Sequence, residues 1–208
     1  MCYHIKIENS IKNIENRFNA KYMGKEEFSS QKHINGFSIP KIPVITNEKP
    51  NEIQLLYWGL IPHWIKNHND AKRIRLKTLN VRSETITEKP SYKKIINKNH
   101  CLVIADGFYE WRTEENKKDR YLIEKKDKKL FAFAGIWDSW EDKENGAIIN
   151  SFSIITQKAN EFMSYIHNVK NRQPVILSES DESKWKSVKN YQDIIHQSFN
   201  VELIGIKE

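Results

Sequence analysis

Cysteine is scarce in this 208-residue chain. The two that occur, Cys2 and Cys101, cannot build a disulfide framework, so a reducing compartment is expected and the cytosol is the expected location. Glycine is also sparse: seven residues stand singly and none forms a phosphate-cradling loop, which argues against a nucleotide cofactor. The seven histidines are scattered, with no His-Glu-x-x-His, Cys-x-x-Cys or calcium-type acidic cluster, so neither a metal nor any other cofactor is expected. No apolar run approaches the ~20 residues of a membrane span. Lys6 and Glu8 also break up the apolar positions that a secretory signal needs. No repeat or low-complexity linker divides the chain.

What is present is the composition of a folded domain. Hydrophobic residues make up 38% and aromatics 11%, enough for one core, so residues 1–208 are expected to form a single domain. The 34 Lys+Arg exceed the 27 Asp+Glu for a net charge of +7, which suits a polyanion such as nucleic acid, or equally a plain basic surface. Ile11, Ile14 and Phe18 share a helical face. Pro40 and Pro43 flank an extended piece ending at Val44-Ile45, and the β-prone Leu55-Leu56-Tyr57-Trp58 runs into a Gly59-Leu60-Ile61-Pro62 turn. Ser91 is placed to cap a short helix through Ile96. In the second half, short strands are expected at Cys101–Ile104, Tyr121–Ile123, Leu130–Ala134, Phe152–Ile155, Pro174–Leu177 and Val201–Ile204. Helices are expected over Ala159–Ile166 and Ser183–Val188. Many short strands with few helices predict an α+β fold around a curved, mostly antiparallel sheet or partial barrel.

Several residues could carry chemistry. Cys2 is small enough for a methionine aminopeptidase to remove Met1, which would leave an amine and a thiol on adjacent carbons. The amine can condense with an aldehyde and the thiol can then close onto the imine as a thiazolidine, which an internal cysteine cannot do. Within Lys72–Lys77, Arg73, Arg75 and Lys77 alternate at strand period and predict one positive face, for a phosphate backbone or as a solvated edge. Asn80 and Arg82 share a side if their segment is extended, placing a reactant-orienting amide beside a phosphate-gripping guanidinium. Glu110, between Tyr109 and Trp111 after an apolar strand, is expected to titrate high, as a general acid near neutrality requires, unless it pairs with Arg112 or a lysine. His167 ends a helix as a cap or a proton carrier, and Arg172, before a proline-led strand, is a candidate second phosphate clamp. Trp58 and Trp64 flank a turn beside the basic segment, where they could stack unpaired bases or simply pack.

In order along the chain come Met1-Cys2, Trp58-Gly59-Leu60-Ile61-Pro62, Asn80-x-Arg82-x-Glu84-Thr85, Ala105-Asp106-Gly107-Phe108-Tyr109-Glu110-Trp111, Ala134-Gly135-Ile136-Trp137 and Ile166-His167-x5-Gln173-Pro174-Val175-Ile176-Leu177. This series resembles the SOS-response-associated peptidase (SRAP) family, the abasic-site processing proteins, over nearly the whole chain. The resemblance implies a single α+β domain with a barrel-like core and a positive cleft for single-stranded DNA. It further implies that the mature Cys2 crosslinks to abasic sites, with Asn80, Glu110 and His167 lining the active site. Arg82 and Arg172 match phosphate-holding positions, and Trp64 matches an aromatic wedge more loosely. Two departures stand out. The usual Cys-Gly-Arg is Cys2-Tyr3-His4 here, and the common Arg-Met-Pro is Arg172-Gln173-Pro174.

The expected activity is therefore covalent capture of abasic single-stranded DNA by a monomer, on the nucleoid when bound, with Arg73, Arg75 and Lys77 helping to hold the backbone. Two alternatives stand beside it. One is a thiol peptidase using Cys2, His167 and Asn80, in its narrowest form removing only Met1 from its own chain. The other is a non-covalent single-strand-binding module.

Overall fold

Strand-forming sequence dominates the described residues, 2–195 and 201–208 of a computed structural model. In chain order the strands are β1 (His4–Ile7), β2 (Lys21–Tyr22), β3 (Gln31–Asn35), β4 (Lys41–Thr46), β5 (Glu52–Trp58), β6 (Asn80–Arg82) and β7 (His100–Ala105). They continue with β8 (Gly107–Glu114), β9 (Lys117–Lys125), β10 (Phe131–Glu141), β11 (Ile148–Lys158), β12 (Arg172–Pro174), β13 (Ile176–Leu177) and β14 (Leu203–Lys207). Five helices, α1 (Ile11–Phe18), α2 (His68–Arg75), α3 (Glu161–Ile166), α4 (Glu179–Ser187) and α5 (Gln192–Ile195), lie between them. None is long and apolar enough to cross a membrane.

The expected α+β architecture with a barrel-like core is what the chain adopts. β4 pairs antiparallel with both β5 and β7, β7 with β10, and β10 with β11. β11 then returns in parallel to β5, Ser151 opposite Tyr57 and Phe152 opposite Trp58, which closes the ring. The closed ring leaves those strands no free edge to protect. Its strands are apolar on both faces because the ring interior takes one and the packed α4 takes the other: every residue of β7 is buried. Trp185 of α4 donates its indole N–H to the carbonyls of Cys101 and Gly135. Gly135 is required there, since a Cβ would meet Cys101 Sγ and Val103 Cγ2 at 2.7 Å.

A second sheet, ordered β14-β9-β8-β1-β3, places the N-terminus. β1 lies antiparallel between β8 and β3, with His4 opposite Tyr109 and Ile5 opposite Phe108. Continued by two residues, that register runs Tyr3 and Cys2 alongside Glu110 and Trp111. Ile5 and Ile7 are fully buried and anchor this placement.

Three local expectations are corrected. The Lys72–Lys77 segment is not an alternating strand but the end of α2 and the turn after it. Asn67 starts this helix, its Oδ1 accepting from the Asp70 N–H at 2.9 Å, and Ala71 packs with Ile61, Ile65 and Trp140. At helical spacing Arg73, Arg75 and Lys77 cannot share one face. Ser91–Ile96 forms turns rather than a helix, mixing i−3 and i−4 bonds such as Ile95 N–H to Tyr92 O and Ile96 N–H to Tyr92 O. α4 starts four residues before Ser183 because Ser178 accepts from the Asp181 N–H and takes the cap.

Candidate active site

Glu110 projects from β8 into an open pocket of about 250 Å³ that Tyr3, Trp111, His167, Lys118 and Lys170 also line. The carboxyl is 4% exposed. Burial pushes it up to about 7. The alternative pairing with Arg112 does not form: Arg112 turns to Glu114, Nε to Oε1 at 2.9 Å, and lies over the Tyr165 ring.

His167 reaches this pocket from the end of α3, where its N–H donates to the Met163 carbonyl at 2.7 Å. The loop that follows is stitched to β8 by Asn168. Its Nδ2 donates to the Thr113 carbonyl at 2.7 Å, and the Thr113 N–H donates to its Oδ1 at 3.0 Å. That amide continues the strand ladder and fixes His167 relative to Glu110, leaving Nε2 at 3.8 Å from Glu110 Oε2. Nδ1 lies 2.8 Å from the Arg172 carbonyl. A carbonyl only accepts, so Nδ1 carries the hydrogen and Nε2 of the neutral ring presents its lone pair toward Glu110. Burial drives the imidazole below its ordinary value and favours this neutral form.

Cys2 is fully buried, its Sγ 3.9 Å from the His4 carbonyl. Burial first, and the neighbouring Glu110 second, hold the thiol well above the usual cysteine range. Asn80, at the start of β6, donates from Nδ2 to the Cys2 carbonyl at 2.7 Å. Its position is set by the parallel pairing of β6 with β11, Asn80 opposite Ile154. Asn80 Oδ1 is buried and has no hydrogen-bond partner among the described residues. Glu110 and His167 thus line one pocket, and Asn80 holds the carbonyl of the buried Cys2, whose thiol Glu110 influences. Met1 lies outside the described residues.

The expected DNA contacts are more dispersed. Arg82 is exposed and shares a strand side with Asn80, with buried Val81 between them. Arg73 and Lys77 are exposed, while Arg75 is half-buried with its guanidinium over the Tyr57 ring at 4.7 Å. Trp64 is 45% exposed. Arg172 is buried instead, its guanidinium gripping Glu84 through Nη1 at 2.6 Å and Nη2 at 2.9 Å, with Nη2 also donating to the Thr156 carbonyl. The phosphate-clamp expectation for Arg172 therefore meets a side chain already engaged by a carboxylate. Its backbone carbonyl orients His167, a role its residue type did not signal. Trp58 belongs to the core, donating its indole N–H to the Leu79 carbonyl. His4, at the start of β1, is half-buried. Burial, then His33 at 2.9 Å and Arg120, push its imidazole down.

Tyr3, Thr113, Lys118, Val169 and Lys170 line the pocket without having been expected there. Tyr3 stands out in the sequence only as a departure from glycine, and Lys170 lies three residues beyond His167, where no site residue was expected. Tyr3 is half-buried, its ring centroid 4.8 Å from that of Phe37, and burial followed by Glu110 raises its phenol, which stays a hydrogen-bond donor. Among the described residues no group of three or more His, Cys, Asp or Glu is placed to hold a metal ion.

These elements define a class: an α+β barrel with a pocket lined by a buried carboxyl and an imidazole, beside an N-terminal strand that follows a buried cysteine held by an amide. The model of the SRAP family, SOS response associated peptidase, matches residues 1–201, and the chain belongs to that family. The abasic site processing protein YoqW of Bacillus subtilis is 39% identical over 150 residues, which cover 72% of this chain and 63% of that protein. HMCES of Xenopus tropicalis, also named an abasic site processing protein, is 37% identical over 148 residues, covering 62% of this chain and 43% of its own. The chain matches less than two thirds of the length of these relatives. A crystal structure of a Bacteroides thetaiotaomicron protein shares the fold with a TM-score of 0.92 at 35% identity, covering 99% of this chain and 91% of that one.

Proposed function

We propose that the chain processes abasic sites in single-stranded DNA by joining them covalently to Cys2 once Met1 has been removed. The observation that carries this reading is the convergence of Glu110, His167 and Asn80 on a buried residue next to the chain's start. The reaction is a condensation followed by an addition, with no net oxidation. The Cys2 amine attacks the aldehyde carbon of the ring-opened sugar, a proton moves to the oxygen, and water leaves to give the imine. The S–H then adds across the C=N bond, carbon taking the sulfur and nitrogen the hydrogen.

Each residue has a part that follows from its state. Glu110, titrating near 7, can lend a proton to open the sugar's hemiacetal and to expel water. Neutral His167 can accept the proton that the attacking amine sheds. Asn80 holds the Cys2 carbonyl and thereby the orientation of the amine. The thiol, kept protonated by burial, does not compete as a first nucleophile and arrives with the hydrogen that the second step needs. The same state weighs against a thiol peptidase, which requires a depressed thiol pKa.

The test is a denaturing gel of the mature protein with single-stranded DNA carrying one abasic site. A tetrahydrofuran spacer, which has the sugar's shape but no aldehyde, serves as control. A heat-stable adduct with the first and none with the second is expected. Non-covalent binding to both, without an adduct, overturns the proposal.

A further inference from the structure

Tyr3 follows Cys2 directly in the chain and lines the pocket of Glu110 and His167. The Gly36 N–H donates to its carbonyl at 2.8 Å, which extends the β1–β3 ladder by one residue. On its other side Tyr3 continues the β1–β8 register and stands opposite Glu110. Directly opposite residues of an antiparallel pair send their side chains to the same face, about 5 Å apart at Cβ. Phe37 then holds the ring from the side, centroid to centroid at 4.8 Å and tilted by 41°. With backbone and ring both held, the hydroxyl has its place before any substrate arrives.

The hydroxyl is also prepared as a donor. The Asn80 side chain, which gives Nδ2 to the Cys2 carbonyl, faces the phenol oxygen as well. Asn80 Oδ1 is buried without a partner among the described residues, so the phenol hydrogen is not given to that atom. Burial first, and the charge of Glu110 second, raise the phenol, which stays protonated across the neutral range. A phenol that accepts from an amide is the stronger donor, because each bond polarises the next. Phenylalanine would pack against Phe37 equally well. What the hydroxyl adds is a neutral hydrogen-bond donor.

Amine attack on an aldehyde turns the carbonyl oxygen into a developing oxyanion, and a donor aimed at that oxygen lowers the barrier. Neutral His167 presents a lone pair there, and Asn80 Nδ2 is already given to the Cys2 carbonyl. Resting on the reading that Cys2 captures an abasic sugar, we propose that Tyr3 is a further catalytic residue, whose hydroxyl donates a hydrogen bond to the C1 oxygen of the ring-opened sugar as the amine adds. The hydrogen stays on the phenol throughout. The proton that the oxygen finally takes is lent by Glu110, and the one the amine sheds goes to His167.

The test separates contact from chemistry with two strands that cannot crosslink. One carries an abasic site reduced by borohydride, which keeps a hydroxyl on C1. The other carries a tetrahydrofuran, which has no oxygen on C1. In fluorescence anisotropy Tyr3→Phe is expected to bind the reduced strand about tenfold more weakly than wild type, and the tetrahydrofuran strand equally well. With reactive abasic DNA at saturation, Tyr3→Phe should crosslink about 10²-fold more slowly. The substitution keeps the ring on Phe37, and an unchanged Tm verifies that the fold is intact. Equal affinities of Tyr3→Phe and wild type for the reduced strand overturn the proposal, as do equal losses on both strands or an unslowed crosslink. A wild type that shows the binding pattern yet never crosslinks overturns the covalent chemistry and leaves the Tyr3 contact standing.

Discussion

Cys2→Ala is expected to form no heat-stable adduct with abasic DNA, a loss of roughly 10³-fold or more, while binding undamaged single strands as the wild type does. The distinction lies in which half of the reactive unit is lost. Alanine keeps the terminal amine, so an imine still forms and borohydride still traps it. Without the thiol the imine has no route to a ring and hydrolyses. Cys2→Ser is the sharper variant, because its hydroxyl can close a ring that is far less durable than the sulfur one, and its adduct should decay on heating. Cys2 is fully buried but small, so truncation to alanine costs only about 1 kcal/mol and leaves the fold in place. A heat-stable adduct from Cys2→Ala, measured on the same gel without borohydride, would show that another nucleophile does the work.

Glu110→Gln is expected to slow adduct formation by about 10²-fold and to change its pH dependence. Buried Glu110 titrates near 7, so its acid form is depleted as pH rises through that value. The amine works in the opposite sense, becoming nucleophilic as it loses its proton near its reference value of about 8. Wild type should therefore show a maximum between neutral and mildly alkaline pH, and Glu110→Gln should lack the falling alkaline limb. Stability supplies an independent reading. The folded chain holds the Glu110 proton up to about 7, whereas the unfolded chain releases it near 4.3. Between those values the folded state binds more protons, so stability falls as pH rises, and the loss is complete above about 7. Glutamine cannot ionise. Glu110→Gln should thus match wild type near pH 4 and exceed it by at most about 4 kcal/mol at pH 8, as urea denaturation would report. Equal stabilities at both pH values would remove the basis for assigning Glu110 an acid role.

Much of the pocket was legible in the chain because its signals are local. Glu110 between two aromatic residues, Asn80 and Arg82 two apart on an extended piece, and His167 at a helix end each declare a setting within a few neighbours. The helix of Ile11, Ile14 and Phe18 was readable for the same reason. Long-range partners were not. Arg172 looks like a free cation until β12 brings it to Glu84, 88 residues away. The parallel return of β11 to β5, which closes the barrel, leaves no mark on either strand's own pattern. Arg73, Arg75 and Lys77 misled because charge alternation fits a strand as well as a short helix. What decides for the helix is Asn67 at its start and Ala71 on its buried side, six and two residues before Arg73. Tyr3 stands out in the sequence only as a departure from glycine, because position 3 gains meaning as a pocket residue only when β1 lies against β8.

Whether the amine and thiol of Cys2 act together is tested most directly by the intact mass of the protein after incubation with abasic single-stranded DNA. The predicted species is the chain without Met1 plus the DNA, less one water, formed without borohydride and inert at Cys2 to a thiol-alkylating reagent. A species that still retains Met1, or one whose Cys2 thiol remains open to alkylation, would contradict it.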